Sequence, residues 1–345
     1  MRTLKLLLLL LAMILVLPLV AQDDGADMEL PEQVIVAVPG LLPEGIEWDE
    51  EGERFLLGSL SQGTIHQVSD DMGTTSPLIA SDAFVSTVGI ELDKANRRLL
   101  IANSDRQVFS DPEVTGMAEL HAYDLERGEA LFTTDLTALD AQEGTRYFAN
   151  DVTVDDEGNA YVTNSFAPVI YQVDLEGNPS VFIEDERLIG GFVGLNGIDF
   201  HPDGYLLAAV SGTGSIYKIP VDDPESMTVV ELSESLGIDG MYLHPNGTLV
   251  AIAQTGSGDD LVQEAVAVQS DDDWETAAVV DRVATGGAAT TITVRDGVPY
   301  YINAYLNNPD AESYEIVRVD FDSELMAQAD DREDEGGFED PDYNY

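Results

Sequence analysis

The chain has 345 residues, of which 66 are Asp or Glu and 15 are Lys or Arg, so its formal net charge is -51 at pH 7. This charge excludes nucleic acid and anionic membrane surfaces as partners, because phosphate binding needs clustered Lys and Arg side chains. Cysteine is absent. Disulfides and a lipid-modified cysteine are therefore excluded, and a large apolar core or a bound metal ion must stabilise the fold.

The first segment has the pattern of a secretory signal peptide. Arg2 and Lys5 precede an apolar run over residues 6–17, and the small residue Ala21 stands just before the chain becomes acidic. The run is shorter than the roughly 20 residues that a helix needs to cross a bilayer. We therefore expect cleavage after Ala21 and a secreted or periplasmic protein that is not attached to a membrane. An uncleaved N-terminal anchor is the alternative.

The folded part of the chain is predicted to span residues 33–326. Residues 22–32 are predicted to be a flexible leader, and residues 327–345 are too acidic to bury a core and are predicted to be disordered. A single domain of this length is usual for closed β architectures.

Short apolar runs separated by Asp, Gly, Asn and Pro clusters indicate an all-β fold. The runs recur in a common form, in which an apolar strand and an acidic turn are followed by a second strand rich in β-branched and aromatic residues. This period indicates propeller blades of four strands. The sequence thus predicts a six-bladed β-propeller around a central channel. The equivalent apolar residues of the six repeats are Ile46, Ile90, Val152, Ile198, Met241 and Ile292.

The repeats also predict two departures from regularity. The interval between Ile90 and Val152 is the longest, which predicts a loop insertion near residues 107–117. An apolar strand over residues 33–38 precedes the first repeat, and we expect it to complete the last blade and close the ring.

Oxygen-bearing side chains stand just before the predicted first strands of four blades. A residue there should point into the mouth of the channel, since the first strand of each blade lines it. Two carboxylates and two amides suit Ca²⁺, which takes 6–8 oxygen ligands. A single Asn or Asp before a strand is more often a turn cap, but four at equivalent positions predict a calcium site. The four residues are Glu44, Asn150, Asn196 and Asp239.

The histidines do not share this pattern. His66 and His121 fall on predicted outer strands, and His201 and His244 fall on hairpin turns. Their spacing does not suit zinc, and we expect structural or surface roles for them.

Residues 33 to about 325 resemble the senescence marker protein, gluconolactonase and luciferin-regenerating-enzyme family. A still closer resemblance, to plant and microbial calcium-dependent phosphotriesterase-like proteins, includes Phe-Leu-Leu-Gly-Ser-Leu from Phe55 and Asn-Ala-Tyr-Val-Thr-Asn from Asn159. The family resemblance rests on Pro-Glu-Gly from Pro43, Ala-Asn-Asp-Val from Ala149, Leu-Asn-Gly-Ile from Leu195 and Ile-Asp-Gly-Met from Ile238.

The resemblance implies that these four segments carry a catalytic Ca²⁺, which would polarise a carbonyl or phosphoryl oxygen of the substrate. Asp239 would act as base or nucleophile, Glu44 would anchor the ion, and Asn150 and Asn196 would orient ion and substrate. A monomeric hydrolase of lactones, esters or organophosphate-like small molecules is therefore expected. The alternative is a non-catalytic propeller in which calcium joins the blades and the surface binds a glycan or a protein.

Overall fold

Antiparallel strands make up almost all of the secondary structure in the computed structural model. The predicted signal peptide lies outside its described residues, as do most of the predicted leader and acidic tail, and these assignments stay predictions. Within the described part of the chain, no helix has the length and apolarity needed to span a membrane. The structure describes residues 30–69, 73–139, 144–256 and 261–327.

The strands belong to the unit that begins at Pro31. They form four-stranded blades in which successive strands pair antiparallel. The first strand along the chain, β1 (Gln33–Val36), belongs to the last blade. Blade one contains β2 (Ile46–Asp49), β3 (Arg54–Leu57), β4 (Thr64–Ser69) and β5 (Thr75–Ala80). Blade two contains β6 (Ser86–Asp93), β7 (Arg98–Ser104), β8 (Gly116–Asp124) and β9 (Ala130–Asp135). Blade three contains β10 (Tyr147–Val154), β11 (Ala160–Asn164), β12 (Val169–Val173) and β13 (Pro179–Glu184).

The second half of the ring repeats this plan. Blade four contains β14 (Leu195–His201), β15 (Tyr205–Val210), β16 (Ser215–Pro220) and β17 (Thr228–Val229). The short β18 (Glu231–Leu232) pairs in parallel with the outer strand of blade five. Blade five contains β19 (Gly237–Leu243), β20 (Leu249–Thr255), β21 (Val262–Gln269) and β22 (Thr276–Ala284). Blade six contains β23 (Ala289–Arg295), β24 (Val298–Asn303) and β25 (Tyr314–Arg318), together with β1.

The innermost strands of the blades form a closed ring. β2 contacts β6, β6 contacts β10, and the series continues through β14, β19 and β23 back to β2. A short parallel bridge between β8 and β10 also joins blades two and three into one continuous sheet. The predicted six-bladed propeller is therefore confirmed.

The ring is closed by strands from opposite ends of the domain. β1 pairs antiparallel with β25, with Gln33 opposite Val317 and Val36 opposite Tyr314. The Tyr300 hydroxyl donates a hydrogen bond to the carbonyl oxygen of Pro31 at 2.8 Å. Hydrogen bonds between the first and last strands thus hold the ring shut, as the sequence predicted.

Each blade buries both of its faces because a neighbour covers each side. In β15, Leu206 packs with Tyr161 of blade three, whereas the next residue, Leu207, packs with Leu249 of blade five. Alternate side chains of a strand point to opposite faces of the sheet. Fully burying a Leu side chain contributes about 1.5–3 kcal/mol, so this packing between blades stabilises a protein that has no disulfide.

The predicted insertion lies between β7 and β8. It contains a short 3-10 helix, Arg106–Phe109, whose Val108 is fully buried. Asp105 caps this helix by accepting a hydrogen bond from the backbone N–H of Gln107 at 2.9 Å. The other helical segments are Glu186–Leu188 and Pro224–Ser226, both 3-10 helices, and α1 (Ser323–Met326).

Candidate metal and active site

Three of the four predicted ligands lie in β-bulges of the inner strands. The register of β10 shifts between Ala149 and Val152, and Asn150 lies in this interval. Asn196 of β14 and Asp239 of β19 occupy the equivalent places. A bulge leaves a residue outside the regular pairing and turns its side chain away from the regular alternation. The prediction that these residues precede their strands was wrong, because each lies within its strand.

Glu44 is placed differently. It precedes β2, which begins at Ile46, and its carbonyl oxygen accepts a hydrogen bond from the Thr290 hydroxyl of blade six at 2.8 Å. The backbone of Glu44 is therefore fixed to the neighbouring blade, although its segment is not paired as a strand.

Glycines let the inner strands approach one another at the bulges. A Cβ on Gly197 would lie 2.7 Å from the carbonyl oxygen of Asp239, and one on Gly89 would lie 2.5 Å from that of Asn150. Real Cβ atoms do not come this close to backbone, so any larger residue would force the strands apart. The glycines thus fix the spacing of the inner strands that carry the candidate ligands.

Two of the candidate ligands are in direct contact. The Asn196 side-chain amide donates a hydrogen bond to Oδ1 of Asp239 at 3.0 Å. The Asn150 amide donates to the Ser165 hydroxyl at 2.8 Å, and Ser165 donates in turn to the carbonyl oxygen of Leu195 at 2.9 Å. Because both amide N–H groups are engaged, the side-chain oxygens of Asn150 and Asn196 remain as the groups that can bind a cation.

The negative charges of Glu44 and Asp239 repel each other. Burial raises the pKa of Glu44 well above its usual value, and the carboxylates of Asp239 and Asp151 raise it further. Burial likewise raises the pKa of Asp239 to about 6, although the hydrogen bond from Asn196 acts in the opposite direction. The Oε2 atom of Glu44 is buried without a hydrogen-bond partner. An unpartnered buried carboxylate is costly unless a cation or a proton neutralises it.

These observations fit a hard cation bound by the predicted quartet. Glu44 has a free carboxylate oxygen, Asp239 is held in position by Asn196, and the remaining donors are neutral oxygens of the kind that Ca²⁺ accepts. Among the described residues, no group of three or more His, Cys, Asp or Glu side chains is arranged to hold a metal ion. Cation binding at this mouth would therefore depend on the two asparagines as well as on the two carboxylates.

The inner strands carry a further set of carboxylates that were not predicted from the sequence. Burial raises the pKa of Glu47 to about 8 and that of Asp199 to about 6. Burial also raises the pKa of Glu91 well above its usual value, and the nearby carboxylates of Glu47 and Asp199 raise it further. Each of these three acidic residues directly follows one of the repeat's equivalent apolar residues, Ile46, Ile90 and Ile198. This repeated position is the signal that could have revealed them.

Two of the inner-strand carboxylates connect neighbouring strands. Asp151 of β10 accepts a hydrogen bond from the backbone N–H of Ile198 in β14 at 3.3 Å. Asp199 of β14 accepts from the Thr153 hydroxyl of β10 at 3.2 Å and from the backbone N–H of Leu243 in β19. Burial raises the pKa of Asp151 to about 7. These carboxylates therefore join blades three, four and five at the centre of the ring.

Two cavities open beside Asp239. One, of about 490 Å³, is lined by Asn196 and Asp239 together with Phe192, Val193 and Ile238. The other, of about 350 Å³, is lined by Asp239, Thr290, Asn307 and Asn308. Asp239 lines both cavities, as do Gln254 and Gln263.

The described residues that line these two cavities include no histidine. His121 lies on β8, where it bonds to Glu119 at 2.9 Å, and His244 contacts the carbonyl oxygen of Gly297 at 3.1 Å. His201 stacks on Tyr205, with ring centroids 4.3 Å apart. His66 is buried on β4, and burial lowers the pKa of its imidazole. These positions agree with structural roles.

Comparison with known proteins supports the family indicated by these segments. The model of the SGL family, described as the SMP-30/gluconolactonase/LRE-like region, matches residues 42–288. No curated protein matches the sequence.

Several solved structures share the fold. The major allergen Mala s 1 of Malassezia sympodialis has a TM-score of 0.69 and 19% identity, covering 85% of this chain and 97% of the allergen. Regucalcin from Agrobacterium tumefaciens, a calcium-binding protein, has a TM-score of 0.55 and 16% identity over 84% of this chain and 95% of its own. Virginiamycin B lyase from Staphylococcus aureus has a TM-score of 0.52 and 10% identity over 84% and 98%. Likeness at these identities shows the fold alone.

Proposed function

We propose, from the premise that this chain belongs to the SMP-30/gluconolactonase/LRE-like family, that it is a calcium-dependent hydrolase of small lactones, esters or organophosphate-like substrates. One observation carries the proposal. Asp239 lines both cavities, its carboxylate accepts a hydrogen bond from Asn196, and its charge acts on the carboxylate of Glu44, whose Oε2 has no hydrogen-bond partner.

Glu44, Asn150, Asn196 and Asp239 are the residues that would hold the calcium ion. When bound, Ca²⁺ would supply Lewis-acid polarisation of the substrate's carbonyl or phosphoryl oxygen. Its positive charge would also favour the ionised forms of Glu44 and Asp239, whose pKa values burial raises.

Asp239 is the residue that we assign to proton transfer or attack. Its Oδ1 accepts the hydrogen bond from Asn196, which leaves Oδ2 to take a proton from an attacking water molecule or to attack the substrate directly. Asn196 and Asn150 would hold their side-chain oxygens in fixed positions, because each residue is buried and donates a hydrogen bond to a neighbouring side chain.

The test is turnover of a lactone, an aryl ester and a phosphotriester by purified protein with calcium and after chelation. We expect Asp239→Asn to lower kcat/KM by at least about 100-fold, as removal of a catalytic general base or nucleophile does. Tm in the absence of calcium should not fall, because the substitution removes a buried negative charge. Asp156→Asn changes an exposed turn residue and serves as the matched control, which should keep full activity.

The non-catalytic alternative predicts a different pattern. If calcium raises the Tm and no substrate of the three classes is turned over, the ion only joins the blades and the hydrolase proposal is wrong. Wild-type activity in Asp239→Asn would remove Asp239 from the mechanism even if turnover depends on calcium.

A further inference from the structure

The larger mouth cavity has both polar and apolar lining residues. Phe192 and Val193 supply apolar lining to the space that Asn196 and Asp239 also line. Its other polar lining residues are Ser211, Gln254 and Gln263. The Phe192 side chain is 69% exposed. A large aromatic group left exposed inside a cavity that also holds the candidate catalytic carboxylate is suited to contact an apolar part of the substrate.

Two other phenylalanine rings pack near Phe192. Its ring centroid lies 6.0 Å from that of Phe109 and 6.5 Å from that of Phe166, and Phe109 packs on Phe166 at 5.0 Å. The guanidinium of Arg146 lies 4.5 Å from the centroid of Phe166 and donates a hydrogen bond to the carbonyl oxygen of Val108 in the insertion. Phe109 of the insertion between β7 and β8 therefore packs against both Phe166 and Phe192, and these three rings form an aromatic face.

The loop that carries Phe192 is anchored at its C-terminal end. The backbone N–H of Gly194 donates to the carbonyl oxygen of Ser165 at 2.9 Å, and the N–H of Gly212 donates to the carbonyl oxygen of Val193 at 3.0 Å. These bonds tie the residues that directly follow Phe192 to blades three and four. These bonds fix the backbone next to Phe192, which lines the same cavity as Asn196 and Asp239, as a specificity contact requires.

We propose that Phe192, supported by Phe109 and Phe166, binds the apolar alkyl or aryl group of the substrate. This inference rests on the proposed hydrolase function and narrows its substrate class to lactones or esters that carry a hydrophobic substituent. The second cavity is lined by Asn307 and Asn308 and not by Phe192, and amide residues suit hydroxyl groups. A polyhydroxylated lactone bound there would make no use of Phe192.

The experiment compares kcat/KM for γ-nonalactone and γ-butyrolactone, which differ only in a pentyl chain, in the calcium-loaded protein. We expect Phe192→Ala to lower the nonalactone-to-butyrolactone ratio on the order of 10-fold, since covering a Phe side chain with an alkyl chain accounts for a difference of this size. Ile189→Ala is the matched control, because Ile189 is on the same loop and 57% exposed but is not among the residues that line the cavity.

Binding of γ-nonalactone, measured by saturation-transfer NMR, separates the two proposals. Turnover of both lactones with an unchanged ratio in Phe192→Ala overturns the aromatic site and leaves the hydrolase in place. Absence of turnover of the lactones, the aryl ester and the phosphotriester, together with nonalactone binding that Phe192→Ala weakens, overturns the hydrolase and supports the apolar site. Absence of turnover of all three substrate classes and of nonalactone binding in the folded wild-type protein overturns both.

Discussion

Replacing Gly197 by Ala tests whether close approach of the inner strands positions the candidate site. The added Cβ would lie 2.7 Å from the carbonyl oxygen of Asp239, 3.0 Å from Cγ of Met241 and 3.3 Å from its backbone nitrogen. Two of these three neighbours are backbone atoms of β19, so relief of the clash requires the strand itself to move. The residue that must move carries the candidate catalytic carboxylate.

The added methyl group should lower the free energy of unfolding, because it overpacks the site. Forcing an additional methyl group into a close-packed site costs about 1–3 kcal/mol. For a large domain each kcal/mol lowers Tm by about 2–4 °C, so we expect a fall of about 2–12 °C. Displacement of Asp239 should also lower kcat/KM by more than 10-fold, because catalysis is sensitive to shifts of about 1 Å.

Thermal unfolding followed by circular dichroism, with and without calcium, measures the first effect, and lactone turnover measures the second. Gly237→Ala, on the strand β19 that Gly197→Ala would displace, is the matched control, since its Cβ would meet its nearest neighbours at 3.4–3.5 Å, which is ordinary contact. If Gly197→Ala unfolds at the wild-type temperature with wild-type turnover, the inner strands tolerate separation. The close approach of Gly197 to β19 then does not position Asp239.

Two further predictions concern charge. Burial raises the pKa values of Asp239, Asp151 and Glu47 to about 6, 7 and 8. The folded protein therefore binds protons more tightly than the unfolded chain, and the calcium-free protein should lose stability as pH rises from about 4 to 8. Calcium should therefore raise Tm more at pH 8 than at pH 5 at constant ionic strength, and equal shifts would contradict this. Arg98 is buried and pairs with the buried carboxylate of Asp93 at 2.8 Å, and its guanidinium also donates a hydrogen bond to the carbonyl oxygen of Gly158 in blade three. Arg98→Met should therefore lower the free energy of unfolding, measured in urea, by about 3–5 kcal/mol. The exposed side chain of Arg127, 3.2 Å from Asp124, provides the control, since Arg127→Met should lower the free energy of unfolding by less than about 1 kcal/mol. Equal losses in the two variants would show that burial of the Arg98 pair does not matter.

The sequence by itself determined the architecture, because the pattern that encodes a blade is local. Each repeat places an apolar residue such as Ile46 or Ile198 at the same point of an inner strand, and hairpins between adjacent strands follow from nearby residues. The insertion near Phe109 and the closing strand at Gln33 were also apparent as departures from the repeat, and the structure confirms both.

The quartet Glu44, Asn150, Asn196 and Asp239 came from the same repeat, but only its positions could be predicted. The bulges that hold three of these residues, and the hydrogen bond between Asn196 and Asp239, depend on how neighbouring blades approach one another. Their binding of calcium stays a prediction. The repeated acidic positions at Glu47, Glu91 and Asp199 were present in the sequence, yet their perturbed pKa values arise only when the ring buries them together.

Only the tertiary structure decided the character of the channel mouth. Phe109 comes from the insertion in blade two, Phe166 from a turn in blade three and Phe192 from the loop before blade four, so no local pattern connects them. They meet because the closed ring brings loops from successive blades to one end of the channel. Contacts between residues far apart in sequence depend on the closure of the whole ring, and for that physical reason the sequence alone could not show the aromatic face beside Asp239.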